Sequence, residues 1–302
     1  MAEAVRNVLR AAEEQLKAAG VPSPRVDAEI LLCHVLECDR TALLIRETID
    51  DEQLEEFIQF LGFRSARVPL QHLTGLAPFR RIEAQVGPGV LIPRPETELL
   101  VDKAIAFVRD VPEPVIVDLC SGSAAMSVSL AMEIPCSQVH ALEFYEDAFN
   151  YGQANVRKYA AEIAMNGSTI SLIKDDVRGC ETRELKSLAG KVDVIVANPP
   201  YIPAAAIPRD PEVFQFEPHV ALFGGEDGMD FIGAIVAAAE VLLKPGGLVV
   251  IEHGDNQGES GDPSVPKFLR ESGLFASVSD HNDLAGRPRF TTGVRHADFP
   301  RG

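Results

Sequence analysis

The sequence predicts an α/β fold, a doubly wound sheet preceded by a small helical bundle, and three observations carry that expectation. Short apolar runs at residues 115–119, 139–142, 170–173, 192–197 and 248–251 alternate with helix-length amphipathic segments, as strands buried on both faces require. Residues before 75 carry apolar side chains at helical spacing instead. At 302 residues and 46% hydrophobic content the chain is a folded globular protein, long for a single core.

In order along the chain, Val5, Leu9, Ala12 and Leu16 mark a first helix that stops at Gly20. Ser23 and Pro24 supply an N-cap and a first-turn proline for a second helix with Val26, Ile30, Leu31 and Val35 inward. A third helix runs from Asp51 to about residue 66 with Leu54, Phe57, Ile58 and Leu61 on one face. Thr74-Gly75 breaks the bundle, and residues 76–92 alternate like a strand pair around Gly87-Pro88-Gly89, a β-hairpin linker. The expected organisation is therefore a helical domain at 1–75, a linker at 76–95 and a catalytic domain at 96–302. Near 275–278 and 290–294 a last strand pair follows the final helix.

The formal charge of −17 argues against a nucleic-acid partner, since Lys and Arg supply most of that affinity. No apolar stretch spans a bilayer and the polar start is not a secretory signal, so a cytoplasmic protein is expected. The five cysteines have no paired spacing and the seven histidines no HxH or HExxH pattern, so neither a disulfide framework nor a metal site is implied.

Two motifs lie where a doubly wound sheet binds ligands, beyond the carboxyl ends of its strands. Asp118-Leu119-Cys120-Ser121-Gly122-Ser123-Ala124 follows the first strand, and about 20 residues later Glu143 closes the second, where an acid can accept from both ribose hydroxyls. A dinucleotide enzyme wants three glycines here, and only Gly122 of such a set is present. S-adenosyl-L-methionine has no pyrophosphate and fits better than NAD. Asp176 after the third strand is placed for the adenine amino group, with Val177 beside the ring, though from position alone Asp176 is equally a polar residue leaving a strand.

The second motif is Asn198-Pro199-Pro200-Tyr201, directly after the run at 192–197. A conjugated nitrogen is a poor nucleophile unless its lone pair is turned toward the methyl donor. The Asn198 side-chain oxygen and the Pro199 carbonyl can each take one N–H of an NH2 group while Tyr201 stacks on its face. Taken alone, the box also reads as a Pro-rich turn after a strand.

Together with the helical amino-terminal domain, these motifs resemble the HemK/PrmC family of peptide chain release factor glutamine methyltransferases. The likeness extends to Arg64, Pro69 through Thr74-Gly75, Leu91-Ile92-Pro93-Arg94-Pro95-Glu96-Thr97-Glu98, Glu217-Pro218, Gly224-Gly225, Asp227-Gly228 and Asp283-Leu284-Ala285-Gly286-Arg287. The resemblance implies a Rossmann-like S-adenosylmethionine-dependent methyltransferase domain with a C-terminal antiparallel strand. It implies cofactor contacts from Cys120 through Ala124, Glu143, Asp176 and Val177, and substrate-amide contacts from Asn198, Pro199, Pro200 and Tyr201. Asn198 and Asp118 are expected beside the cofactor as well. The implied reaction is methylation of the glutamine amide nitrogen in the Gly-Gly-Gln motif of release factors, by a monomer. Cys120 and Ala124 stand where many members carry glycine. Cys120 is expected at an ordinary negative φ and Ala124 in the first turn of a helix. Rival readings are methylation of a ribosomal-protein glutamine or a nucleic-acid base, and a non-catalytic protein-binding module that keeps the fold.

Overall fold

The computed structural model describes residues 3–208 and 210–297; the expected domain ends at 1–2 and 298–302 lie outside them. The chain divides into two compact units, one extending to Leu76 and including Pro208–Phe216, the other formed by Ala77–Ile207 and the residues from Glu217 onward.

The first unit is helical: α1 (Val5–Ala18), α2 (Pro24–Val35), α3 (Arg40–Ile45), α4 (Asp51–Ser65) and α5 (Leu70–Thr74), with a two-residue strand pair β1 (Glu3–Ala4) and β2 (Thr48–Ile49). Leu9, Leu16, Leu31, Leu32, Phe57 and Leu61 form its core, but Val26 and Ile58, which helical spacing expects inward, are 41% and 55% exposed, at the edges of their stripes. Pro24 opens α2 as expected, but the Ser23 side chain makes no capping bond. The caps are aspartates instead: Asp39 accepts from the Ala42 N–H at 2.7 Å and Asp50 from the Gln53 N–H at 2.9 Å. Gly75, at φ 73, ends α5 in the left-handed conformation that favours glycine. Segment Pro208–Phe216 joins this unit through charge. Arg64, 4% exposed, donates to Asp27 at 2.7 Å and to Glu212 at 2.8 Å, and Arg67 pairs with Glu212 at 2.6 Å.

The second unit begins with a hairpin, β3 (Leu76–Phe79) and β4 (Ile82–Gln85). Its turn is Arg80-Arg81, not Gly87-Pro88-Gly89 as the glycines suggest. Arg80 takes φ 51, and its guanidinium bonds Glu133 at 2.6 and 2.8 Å and Asp102 at 2.8 Å. Charge pairing thus holds a turn that no turn-favouring residue marks. Beyond it lie α6 (Glu98–Val108), β5 (Val115–Leu119), α7 (Ala125–Glu133), β6 (Gln138–Glu143), α8 (Glu146–Lys158), α9 (Ala160–Met165), β7 (Thr169–Lys174) and β8 (Val192–Ala197). After α10, the Pro211–Phe216 helix of the first unit, come α11 (Asp230–Leu242), β9 (Leu243–Glu252), α12 (Val265–Glu271), β10 (Phe275–Asn282) and β11 (Pro288–Arg295).

The seven-stranded sheet has the order β10-β11-β9-β8-β5-β6-β7. Neighbours from β9 to β7 pair in parallel, and β11 is antiparallel to both β9 and β10. Both faces are covered, and β8 is buried at every position. Val194 and Val196 pack with α6 and α7, whereas Ile195 and Ala197 pack with α11. Val192 joins the second set against its parity because the pairing of β8 with β9 shifts register between Val192 and Val194. The chain winds from β5 to β7 on one side, then returns to β8 on the other, so the carboxyl ends of β5 and β8 flank the switch point.

Candidate active site

The loop leaving β5 turns by repeated left-handed residues: Cys120 at φ 64, Gly122 at φ 57 and Ala124 at φ 57. This overturns both expectations for the substituted positions. Cys120 does not hold a negative φ, and Ala124 is the left-handed residue before α7, not a helical first-turn residue. Close turning of backbone between a strand end and a helix start requires these angles, whichever side chain is present. Glu143, at the end of β6, locks the loop: its Oε2 accepts the Gly122 N–H at 2.8 Å and its Oε1 accepts the Tyr145 N–H at 2.8 Å. Burial raises its pKa, against the lowering effect of those N–H groups. Asp118, fully buried, accepts from the Ser127 hydroxyl at 2.5 Å, and burial together with the Glu143 charge pushes it up to about 7. The Cys120 thiol is driven well above its ordinary value, chiefly by burial, which favours its protonated form.

A cleft opens over this loop, about 1000 Å³ including its mouth, all within the second unit. Cys120, Ser121, Gly122, Ser123, Glu143, Asp176, Val177, Asn198 and Pro200 all line it. Asp118, Ala124, Pro199 and Tyr201 do not. Asp176 is already engaged: its carboxylate accepts from Arg178 Nη2 at 2.6 Å, which holds its pKa below the ordinary range. The stretch expected as a linker contributes Phe79, Gly89, Val90, Leu91 and Pro93 to the opposite wall.

On the β8 side, Asn198 Nδ2 donates to Thr97 Oγ at 3.2 Å, and Thr97 Oγ donates to Glu252 Oε2 at 2.7 Å. Tyr201 Oη donates to Glu252 Oε1 at 3.3 Å, so its ring is tied to β9 and does not stack into the cleft. Burial raises the pKa of both Glu252 and Tyr201. Ile202 joins the run to its neighbour: its N–H donates to the Leu222 carbonyl at 2.9 Å and its carbonyl accepts from Gly224 at 3.0 Å. Arg94 and Glu217 pair at 2.5 Å, linking two segments that are far apart in sequence.

Residues 7–75 match the PrmC N-terminal domain family. The release factor glutamine methyltransferase of Streptomyces coelicolor is 44% identical over 285 residues, spanning 93% of this chain and 94% of that relative. The chain belongs to the release factor glutamine methyltransferase family. Relatives of the same name from Mycolicibacterium smegmatis (41% identical, covering 97% of this chain and 98% of the relative) and Mycobacterium tuberculosis (39%, covering 98% and 93%) are similar along nearly their whole length. In this release factor glutamine methyltransferase family member, sequence reasoning did not single out Thr97 or Glu252 as parts of the site. Glu252 had a signal: an acid closing an apolar strand, as Glu143 does. Phe144 and Tyr145, cleft-lining aromatics in edge contact at 5.2 Å, had another, since they follow that acid directly. Among the described residues no helix is long and apolar enough to cross a membrane.

Proposed function

We propose that the protein transfers the methyl group of S-adenosyl-L-methionine to the side-chain amide nitrogen of the glutamine in the Gly-Gly-Gln motif of peptide chain release factors. The observation that carries this reading is that Asn198 and the Glu143-locked loop line one cleft. Family membership supports it, and so does the charge of −17, which disfavours bare nucleic acid as the substrate. The residues present fit the donor. Ser121 lines the cleft with a buried hydroxyl that has no protein partner. Glu143 keeps further lone pairs for ribose hydroxyls, and Phe144, Tyr145, Val177 and Phe231 offer apolar surface for a flat base.

When bound, the donor supplies an electrophilic sulfonium methyl. Asn198 Oδ1 would hold one N–H of the substrate amide, turning the nitrogen lone pair toward the methyl carbon, while the Pro199 carbonyl, expected to take the other, lies outside the cleft lining. The bound donor would supply the methyl group, its sulfur–carbon bond giving way to a new nitrogen–carbon bond, and the amide nitrogen would release one proton to water. Glu252 does not line the cleft, and its oxygens accept from Thr97 and Tyr201. The helical domain at 1–75 docks the protein substrate in this reading, and the enzyme works as a cytoplasmic monomer. Mass spectrometry of a release factor incubated with protein and donor should find one added methyl on the Gly-Gly-Gln glutamine, and none when that glutamine is alanine. Equal labelling of the alanine control, or labelling of naked DNA or RNA instead, overturns the proposal.

A further inference from the structure

A carboxamide has two chemically opposite ends of nearly equal shape, so a site that uses one of them must fix which way it points. At Asn198 this direction is set from outside the tetrapeptide. Glu252, 1% exposed, is a carboxylate that only accepts when ionised. Its Oε2 takes the hydroxyl proton of Thr97 at 2.7 Å, and Thr97, also buried, has just that one proton to give. What Thr97 has left are lone pairs, and the donor reaching them is Asn198 Nδ2 at 3.2 Å. A flipped amide would set two acceptors, Asn198 Oδ1 and Thr97 Oγ, against each other. The nitrogen end is therefore turned to Thr97, and Oδ1 is the end left for the cleft that Asn198 lines.

We propose that Thr97 and Glu252 are positioning residues that fix the Asn198 amide with its oxygen toward the substrate, and thereby restrict the methyl acceptor to a nitrogen that carries N–H donors. The inference rests on the methyl-transfer reading above. An acceptor-only face rewards a glutamine amide and repels a glutamate carboxylate, so the selection between amide and acid is set through Thr97, which lines the cleft beside Asn198, and Glu252, which does not. The second carboxylate oxygen of Glu252 serves Tyr201 at 3.3 Å, so one buried acid anchors two members of the tetrapeptide.

The decisive comparison is Thr97→Val, which keeps the shape and removes the acceptor, against Thr97→Ser, which keeps the hydroxyl. Release-factor methylation is followed by mass spectrometry to give kcat and KM, and donor affinity by calorimetry on the same preparations. Thr97→Val should lower kcat about 10- to 100-fold, the scale of a misplaced reacting group, with donor affinity and release-factor KM unchanged, and Thr97→Ser should recover most of the loss. Glu252→Gln, which can donate where the carboxylate only accepts, should show the same kcat signature and is the second test if the valine variant does not fold. Wild-type kcat in a folded Thr97→Val or Glu252→Gln protein, a loss shared equally by donor affinity, or failure of serine to rescue overturns the assignment. If the wild-type protein adds no methyl to a release factor, the functional reading fails and this inference with it; a fully active wild type with an unaffected variant sinks the relay alone.

Discussion

Glu143 closes β6 and binds the backbone at Gly122 and Tyr145 through its carboxylate. Both of its oxygens hold backbone N–H groups, so its removal loosens the loop, and in the proposed donor site it also removes a ribose acceptor. Glu143→Ala should weaken donor binding by about 1.5–3 kcal/mol, the range for hydrogen bonds to a charged group; calorimetry showing unchanged affinity in a folded variant removes it from the site. Cys120 shows the limit of reading a turn residue by type. A left-handed φ of 64 is costly for any side chain with a Cβ and worst for a β-branched one. Cys120→Val should lower stability by about 1–2 kcal/mol in thermal unfolding, whereas Cys120→Gly should not lower the midpoint. Asp118 makes a prediction about pH. Its folded pKa, about 7, lies above the ordinary carboxylate value, so the native state keeps a proton that the unfolded chain has already lost. The stability linked to it is present below about pH 4 and lost as pH rises through about 7. Asp118→Asn should therefore raise the unfolding midpoint more at pH 8 than at pH 5, and equal shifts at both would contradict the assignment.

Strands and helices of the sheet were legible because their apolar spacing is a local property: β5 and β8 occupy the residues that the apolar runs mark. The hairpin was harder, since Gly87-Pro88-Gly89 advertises a turn while Arg80 makes the actual one through Glu133 and Asp102. Glycines near the tetrapeptide have a reason that spacing does not show. A Cβ on Gly228 would lie 2.2 Å from the Tyr201 carbonyl oxygen, and its φ of 82 is itself unfavourable to other residues. One on Gly224 would lie 2.3 Å from the Pro200 carbonyl oxygen. These close approaches press the segment at 222–228 against the backbone that carries Asn198. Gly228→Ala should cost about 2 kcal/mol or more in chemical denaturation and lower methyl transfer with it. Wild-type stability and rate in that variant would show the contact to be slack.

Across the whole chain, the cleft and the helical unit are separable in their chemistry. Every residue lining the cleft belongs to the second unit, whereas Arg64 binds Asp27 and Glu212 inside the first. Removing one partner of a buried ion pair strands the other, so Arg64→Ala should destabilise the helical unit by about 3–5 kcal/mol while leaving donor affinity near wild type. A matching collapse of donor binding, seen by calorimetry below the unfolding temperature, would deny that separation. What the sequence by itself determined was the class of the sheet, the helical amino-terminal segment and the two motifs at strand ends, because each is written in residues adjacent or regularly spaced along the chain. Tertiary structure alone decided that the stretch at 76–95 forms a wall of the cleft, that Tyr201 turns to Glu252, and that Thr97 holds the nitrogen end of Asn198. Thr97 is 101 residues from Asn198 and 155 from Glu252, and a hydrogen-bond direction set across such separations leaves no periodicity to read. It exists once folding has brought the strand ends together, because proton donors and acceptors fix one another's orientation through space and not along the chain.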